Sequence, residues 1–247
     1  MTWPASLSLF SILDAVALAL LLIGWIVISH LIENPPARYP SVSVLMNRFR
    51  RDWMREMVTR QPRMFDSQVL GLMRQGTAFF ASGSMLAIGG GLALLGNPDP
   101  LVDFAGDLSD VSDHLSLLSA PRLVWEIKLL VILIFLSHAF MKFVWAHRLF
   151  GYCAILMAAV PNDASDPVAY PRAAQAAEIS ITAARAFNKA MRATYFSLAS
   201  AAWLLGPAPL IVAVILTIAM LWRREFASVS RQALLEGEHP VVSPPQR

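Results

Sequence analysis

"ATYFSLASAAWLLGPAPLIVAVILTIAMLW", residues 193–222, decides how often this chain reverses direction. The stretch is thirty residues long and carries no charged side chain. As one helix it would measure about 45 Å, well beyond the ~30 Å hydrocarbon core of a bilayer. Its midpoint is GPAP, Gly206–Pro209, a strong turn signal. Two short helices, roughly 188–205 and 208–222, fit that thickness better. They also return Arg223 and Arg224 to the side from which the stretch began, as a bias of basic residues toward one face requires. A single kinked, tilted helix is the alternative.

The composition makes lipid the relevant solvent. The chain has 247 residues, 56% hydrophobic and 15% charged, with a mean hydropathy of +0.54. A soluble domain is nearer 45–50% apolar and about 25% charged. Three apolar runs precede the opening stretch. The first, Ala15–Ile32, spans about 27 Å as a helix and is broken by ENPP, Glu33–Pro36. The second, Thr77–Leu95, is stopped by GNPDP. The third runs from Leu123 to about Ala146 and resumes after His147–Arg148 as LFGYCAILMAAV, up to Pro161. The fold expected is all-α: a multi-pass transmembrane helical bundle with five passes preferred and four as the alternative. Residues 1–226 form one transmembrane domain, and 227–247 a disordered cytoplasmic tail ending in GEHPVVSPPQR. There is no internal repeat.

Charge assigns the sides. Of 20 basic residues, 17 are Arg, and the three lysines are Lys128, Lys142 and Lys189. Segment 37–75 carries eight arginines, and 161–192 carries Arg172, Arg185, Lys189 and Arg192. Loop 97–121 has five aspartates and no Lys or Arg. The positive-inside rule puts the two basic segments and the C-terminus in the cytoplasm, and the acidic loop and Arg-free N-terminus outside. The N-terminus lacks a basic n-region and a small-residue cleavage site, so its apolar run is expected to be a retained anchor. A single cysteine, Cys153, precludes an internal disulfide.

Two basic segments show helical periodicity. In 42–58, Val42, Leu45, Met46, Phe49, Trp53 and Met57 share one face, interrupted by Glu56, for which Arg60 at i+4 is a partner. Pro62 ends this helix. In 172–192, Glu178, Arg185, Lys189 and Arg192 share a narrow face opposite Ile179, Ala183, Ala186, Phe187 and Ala190. Both read as amphipathic cytoplasmic helices. Arg48, Arg50, Arg51, Arg55, Arg185, Lys189 and Arg192 are then candidates for lipid-headgroup contact. Alternatively, the two helices pack on each other as a small cytoplasmic layer.

Within the third run, His138, Lys142 and Trp145 follow i, i+4, i+7, with Glu126 and Lys128 nearer its outer end. Ionisable groups at bilayer depth are costly and usually face a bundle interior or a watery cavity, so this face is a candidate pathway for protons or a small anion. The plainer reading has Lys142 snorkelling, Glu126 and Lys128 at the interface, and His138 bonded to a neighbouring helix. His30 and His147 lie at similar depth and would suit a b-type haem on facing helices, but lone histidines at helix ends are more often interface residues. Asp99, Asp103, Asp107, Asp110 and Asp113 would form a helical cluster for Ca²⁺ or Mg²⁺, but Pro100 and Gly106 favour a solvated loop. Gly76, Gly83, Gly89, Gly90, Gly91 and Gly96, with small pairs such as Ala78/Ser82 and Gly89/Ala93, suit close helix packing in lipid.

The chain lacks a Walker A loop, a Rossmann glycine fingerprint, HExxH, GxSxG and CxxC. No catalytic residue, metal site or cofactor is therefore expected, and Cys153 reads as a small buried residue. The basic segments lack the soluble, groove-reading context of nucleic-acid binding, so phosphate here means membrane lipid. A further copy of the chain or another membrane protein is the remaining partner class.

The motifs SVSVLMNRFRRDWMREM, DSQVLGLMRQGTAFFAS, WEIKLLVILIFLSHAFMKFVWAHRLFGYCAILMAAVP, FNKAMRATYFSLASAAWLLGP and LWRREF together give a resemblance. Over about residues 10–228 the chain resembles the membrane family catalogued as domain of unknown function 599. The resemblance implies an integral membrane protein, chiefly bacterial and hence of the inner membrane; it brings no activity, cofactor or catalytic residue. The function expected is a non-enzymatic scaffold or accessory subunit. The alternative is a small oligomeric channel or transporter for protons or a small anion. Third comes a lipid-acting membrane enzyme with Glu56, Glu126 or His147 as acid/base groups.

Overall fold

Ser11 starts the first helix in the computed structural model, which describes residues 10–97, 99 and 121–236. Its hydroxyl accepts from the Asp14 backbone N–H at 3.1 Å, and the Asp14 carboxylate accepts in return from the Ser11 N–H, a capping box. Helix α1, Ile12–Glu33, therefore begins three residues before the apolar run and stops at Asn34, ahead of Pro35–Pro36. Ser41 caps α2, Val42–Met57, and its hydroxyl donates to the Ile32 carbonyl at 2.7 Å, which ties the start of α2 to the end of α1. Helix α3 covers Met64–Gly96 and α4 covers Arg122–Ala158. Helix α5, Ala169–Ala201, carries Pro171 in its first turn, where no intrahelical N–H partner is lost. A 3₁₀ turn, Ala202–Leu205, leads to α6, Pro207–Phe226, and then to a short α7, Val229–Glu236. All regular structure among the described residues is helical.

Three of these helices, α1, α3 and α4, are long and apolar enough to cross a membrane. At 33 and 37 residues, α3 and α4 are about 50 and 55 Å long, far more than a ~30 Å apolar layer needs. The excess forms a second layer. The third run does not pause at His147–Arg148 but continues unbroken, and the second starts thirteen residues before Thr77. Their ends, with α2 and the first half of α5, enclose a core of Met54, Met57, Leu70, Leu149, Phe150 and Cys153. We call this the arginine-rich end. The alanines of α5, among them Ala173, Ala176 and Ala177, hold no bulk between helices, so α4 approaches closely enough for the Cys153 thiol to reach the Ala176 carbonyl at 3.4 Å. A separate core of Leu21, Phe135, Phe196, Trp203, Leu210 and Leu221 joins α1, α4, α5 and α6.

The opening stretch is a helical hairpin. Gly206 has φ +122° and ψ 172°, a region essentially confined to glycine. Pro207 then supplies a ready first helical residue. Tyr195, before the turn, accepts a hydrogen bond from Arg224, well after it, at 3.2 Å, so α5 and α6 run antiparallel. At two other places a neighbouring side chain packs directly onto a glycine: a methyl at Gly24 would lie 2.7 Å from the end of Ile218, and one at Gly91 would lie 2.5 Å from the end of Leu133. Two expectations change. Residues 229–236, read as part of a disordered tail, form α7, while 237–247 lie outside the described residues. Arg60 pairs with Asp66, not Glu56, because the chain turns at Pro62 and brings the start of α3 under α2.

Candidate functional site

Glu33, the last residue of α1, is the centre of a partly buried charge cluster. Ser29 and Glu33 stand one turn apart on α1, and Lys189 and Arg192 one turn apart on α5, so the two pairs face each other. Arg192 is 1% exposed; its guanidinium bonds one Glu33 oxygen and donates to the Ser29 hydroxyl at 3.2 Å. Lys189 binds the other Glu33 oxygen at 2.9 Å. A guanidinium removed from water needs such pairing, because its desolvation penalty is several kcal/mol. A second buried carboxylate, Glu225, sits at the end of α6 against the first turn of α2. It accepts from the Ser43 N–H at 3.1 Å and the Ser43 hydroxyl at 2.9 Å, where the helix dipole favours negative charge. Asn188 of α5 donates to the same hydroxyl at 3.3 Å.

Two crevices flank this cluster, and Glu33 lines both. One, about 360 Å³, lies between α1 and α4 over α5 and brings together His30, His138, Lys142 and Lys189. Trp25 bridges its two walls, with ring centroids 5.3 Å from His138 and 5.2 Å from Phe135. The other, about 380 Å³, is lined by Ser43, Asn47, Arg50, Arg185 and Arg224. In the first, the Lys142 and Lys189 ammoniums stand against the one carboxylate of Glu33, which Arg192 already engages from behind, a positive balance suited to an anion.

Of the proposed polar face on α4, then, His138 and Lys142 share a crevice, and Trp145 is exposed one turn further on. Glu126 and Lys128 belong to the opposite end of the helix. Glu126 pairs with Arg122 at 2.9 Å, and Arg122 also bonds the Gly96 carbonyl at the end of α3. Lys128 is not at an open interface: it is 6% exposed, its ammonium 5.5 Å from the Trp125 ring and 5.9 Å from the Trp203 ring. The Trp203 indole donates to Asp14 at 2.8 Å and closes that end.

The arginines read as headgroup contacts divide. Arg51 pairs with Glu178 at 2.7 Å and Arg50 donates to Ser180 at 3.3 Å, both bridging α2 to α5. Burial without a facing carboxylate pushes the Arg50 guanidinium below its ordinary pKa. Arg48 lies 3.9 Å from Asp52, while Arg55 and Arg185 are exposed. Arg192 and Lys189 are committed to Glu33. Arg63, which the sequence reading assigned no role, caps the end of α4 by donating to the Val160 and Pro161 carbonyls, each at 2.6 Å.

His147 contacts Thr77 at 3.2 Å on α3, whereas His30 faces the crevice on α1, so the two do not form a haem pair. Among the described residues no three His, Cys, Asp or Glu side chains gather as metal ligands, and Asp103, Asp107, Asp110 and Asp113 lie outside those residues. Glu33, Glu225 and Asp66 were not singled out from sequence. The available signal was a carboxylate set against an apolar run, at Glu33 and Glu225 alike; Asp66, in the first turn of α3, read as an ordinary helix-start carboxylate. No curated protein and no solved structure matches the chain. A family model described as "Protein of unknown function, DUF599" matches residues 16–230, and the chain belongs to that family.

Proposed function

We propose that this chain is a five-pass integral protein of a bacterial inner membrane, N-terminus outside and C-terminus cytoplasmic, acting as a non-enzymatic scaffold or accessory subunit. Five passes are supported by the antiparallel α5–α6 hairpin together with α1, α3 and α4. The arginine-rich end would face the cytoplasm. There, α2 buries Met54 and Met57 and exposes Arg48, Arg51 and Arg55, in keeping with an amphipathic helix.

The observation that carries the scaffold reading is α3. Only 6% of its apolar window is buried, and a methyl group added at Gly76, Gly83 or Gly90 would touch nothing. Residues seven apart share a helix face, and small residues on that face admit a second transmembrane helix, from another membrane protein or a second copy. Purification from native membranes in mild detergent tests this. A second polypeptide, or a dimer mass, should accompany the wild type and be lost in Gly83→Leu. A lone monomer in native lipid discs overturns it.

The channel reading has its own observation, the meeting of His138 and Lys142 in one crevice. Toward the opposite end that crevice is bounded by packed Trp25, Phe135 and Phe196. Proton or anion flux in proteoliposomes that disappears in His138→Ala would favour transport over scaffolding. The enzyme reading has less support: Glu56 and Glu126 stand at opposite ends of the molecule, and His147 is engaged by Thr77.

A further inference from the structure

We infer that the α1–α4 crevice is a binding site for a phosphate-bearing anion, occupied by the headgroup of an anionic phospholipid. This rests on the membrane reading above and not on the scaffold role. Lys142 carries the argument. It lines the crevice beside His138 and has no carboxylate partner among the described residues, whereas Lys189 across the same space is held by Glu33. The result is an ammonium next to the His138 imidazole, with the His30 ring on the facing wall, its Nδ1 3.4 Å from the Asn34 amide. These are donors set to converge on phosphate oxygens.

Depth names the source of the phosphate. Lys142 lies twenty residues from Arg122 at the start of α4, about 30 Å along a helix, and His30 is about 27 Å from Ile12 on α1. Both distances equal one hydrocarbon thickness, so the crevice sits at headgroup level in one leaflet. Exposed Trp145 one turn beyond marks the same level, where indole rings concentrate. The crevice walls are apolar on the deeper side. Ile26 lines it and is exposed, and Ile134, one turn deeper than His138 on α4, is exposed as well. An acyl chain has a surface to follow there, which a soluble phosphate compound does not need. The exposed arginines of α2 remain as a diffuse attraction to the same leaflet.

Native mass spectrometry of the full chain in non-ionic detergent tests the site with dioleoyl phosphatidylglycerol against dioleoyl phosphatidylcholine. The wild type should retain the glycerol lipid preferentially. Lys142→Ala should weaken that retention about tenfold, the size of one lost charge-assisted hydrogen bond, and Lys142→Arg should keep most of it. Inorganic phosphate should not displace the lipid. Equal retention of the two lipids by the wild type overturns the proposal without recourse to any variant. So does undiminished retention by a folded Lys142→Ala. Displacement by inorganic phosphate overturns the lipid source in favour of a soluble anion. A chain that stays monodisperse without detergent overturns the membrane reading itself.

Discussion

Six arginines stand between Val44 and Met64, and they are used in four different ways. Arg51 and Arg50 reach α5, Arg60 holds buried Asp66 with Trp53, Arg63 caps α4, and Arg48 and Arg55 are exposed on α2. A planar guanidinium with five donors can satisfy two carbonyls at a helix end or grip a carboxylate in low dielectric, which a lysine does less well. The most demanding case is Arg192, whose charge is buried and balanced by Glu33. Glu33→Gln should destabilise the protein by about 3–5 kcal/mol, because it removes the carboxylate bonded to a buried guanidinium and leaves only the more distant Glu225 to balance it. Replacing both partners, Glu33→Leu with Arg192→Met, should recover much of the loss. Thermal or chemical unfolding in detergent measures both; if the single variant unfolds like the wild type, the pair contributes little.

At the scale of elements, helix ends decide the architecture. Ser11 and Ser41 start α1 and α2, Pro35 follows the end of α1, and Gly206 lets the chain turn back between α5 and α6. Gly206→Ala forces a Cβ into backbone space that L-residues rarely occupy and should cost about 1–3 kcal/mol. A lowered unfolding temperature with native helix content in circular dichroism is the expected signature, and an unchanged temperature would show the turn relaxes freely. The contact at Gly24 is milder. Its neighbour is the end of the flexible Ile218 side chain, so Gly24→Ala should be tolerated, whereas Gly24→Leu should separate α1 from α6. These elements were largely legible in sequence, since caps, prolines and 3.6-residue periodicity are local. The lengths of α3 and α4 were not: polar residues such as Arg74 and His147 ended the apolar runs while helix propensity continued through them.

At the scale of the whole molecule, two layers share the same long helices. One is an apolar bundle of α1, α3, α4, α6 and the end of α5; the other is an arginine-rich layer built from α2 and the extensions of α3, α4 and α5. The long helices join the two layers, and orientation in a membrane follows from which end bears the arginines. A reporter fused after Phe226 should read cytoplasmic, and a cysteine at position 51 should label from the same side. An external reading at 226 would mean that the α5–α6 hairpin does not cross twice.

The sequence alone determined the helical class, the apolar runs and the turn at GPAP, because length, composition and periodicity are properties of neighbouring residues; NRFRRDWM, GYCAI and LWRREF added a resemblance that the family match bears out. Only the tertiary structure decided which charges are buried, which crevice His138 and Lys142 share, and that Lys128 lies against tryptophans. Glu33 and Arg192 are 159 residues apart, and their ion pair exists because α1 and α5 pack side by side. A buried charge is tolerable only where such a partner arrives, and no local pattern records which distant residue that will be.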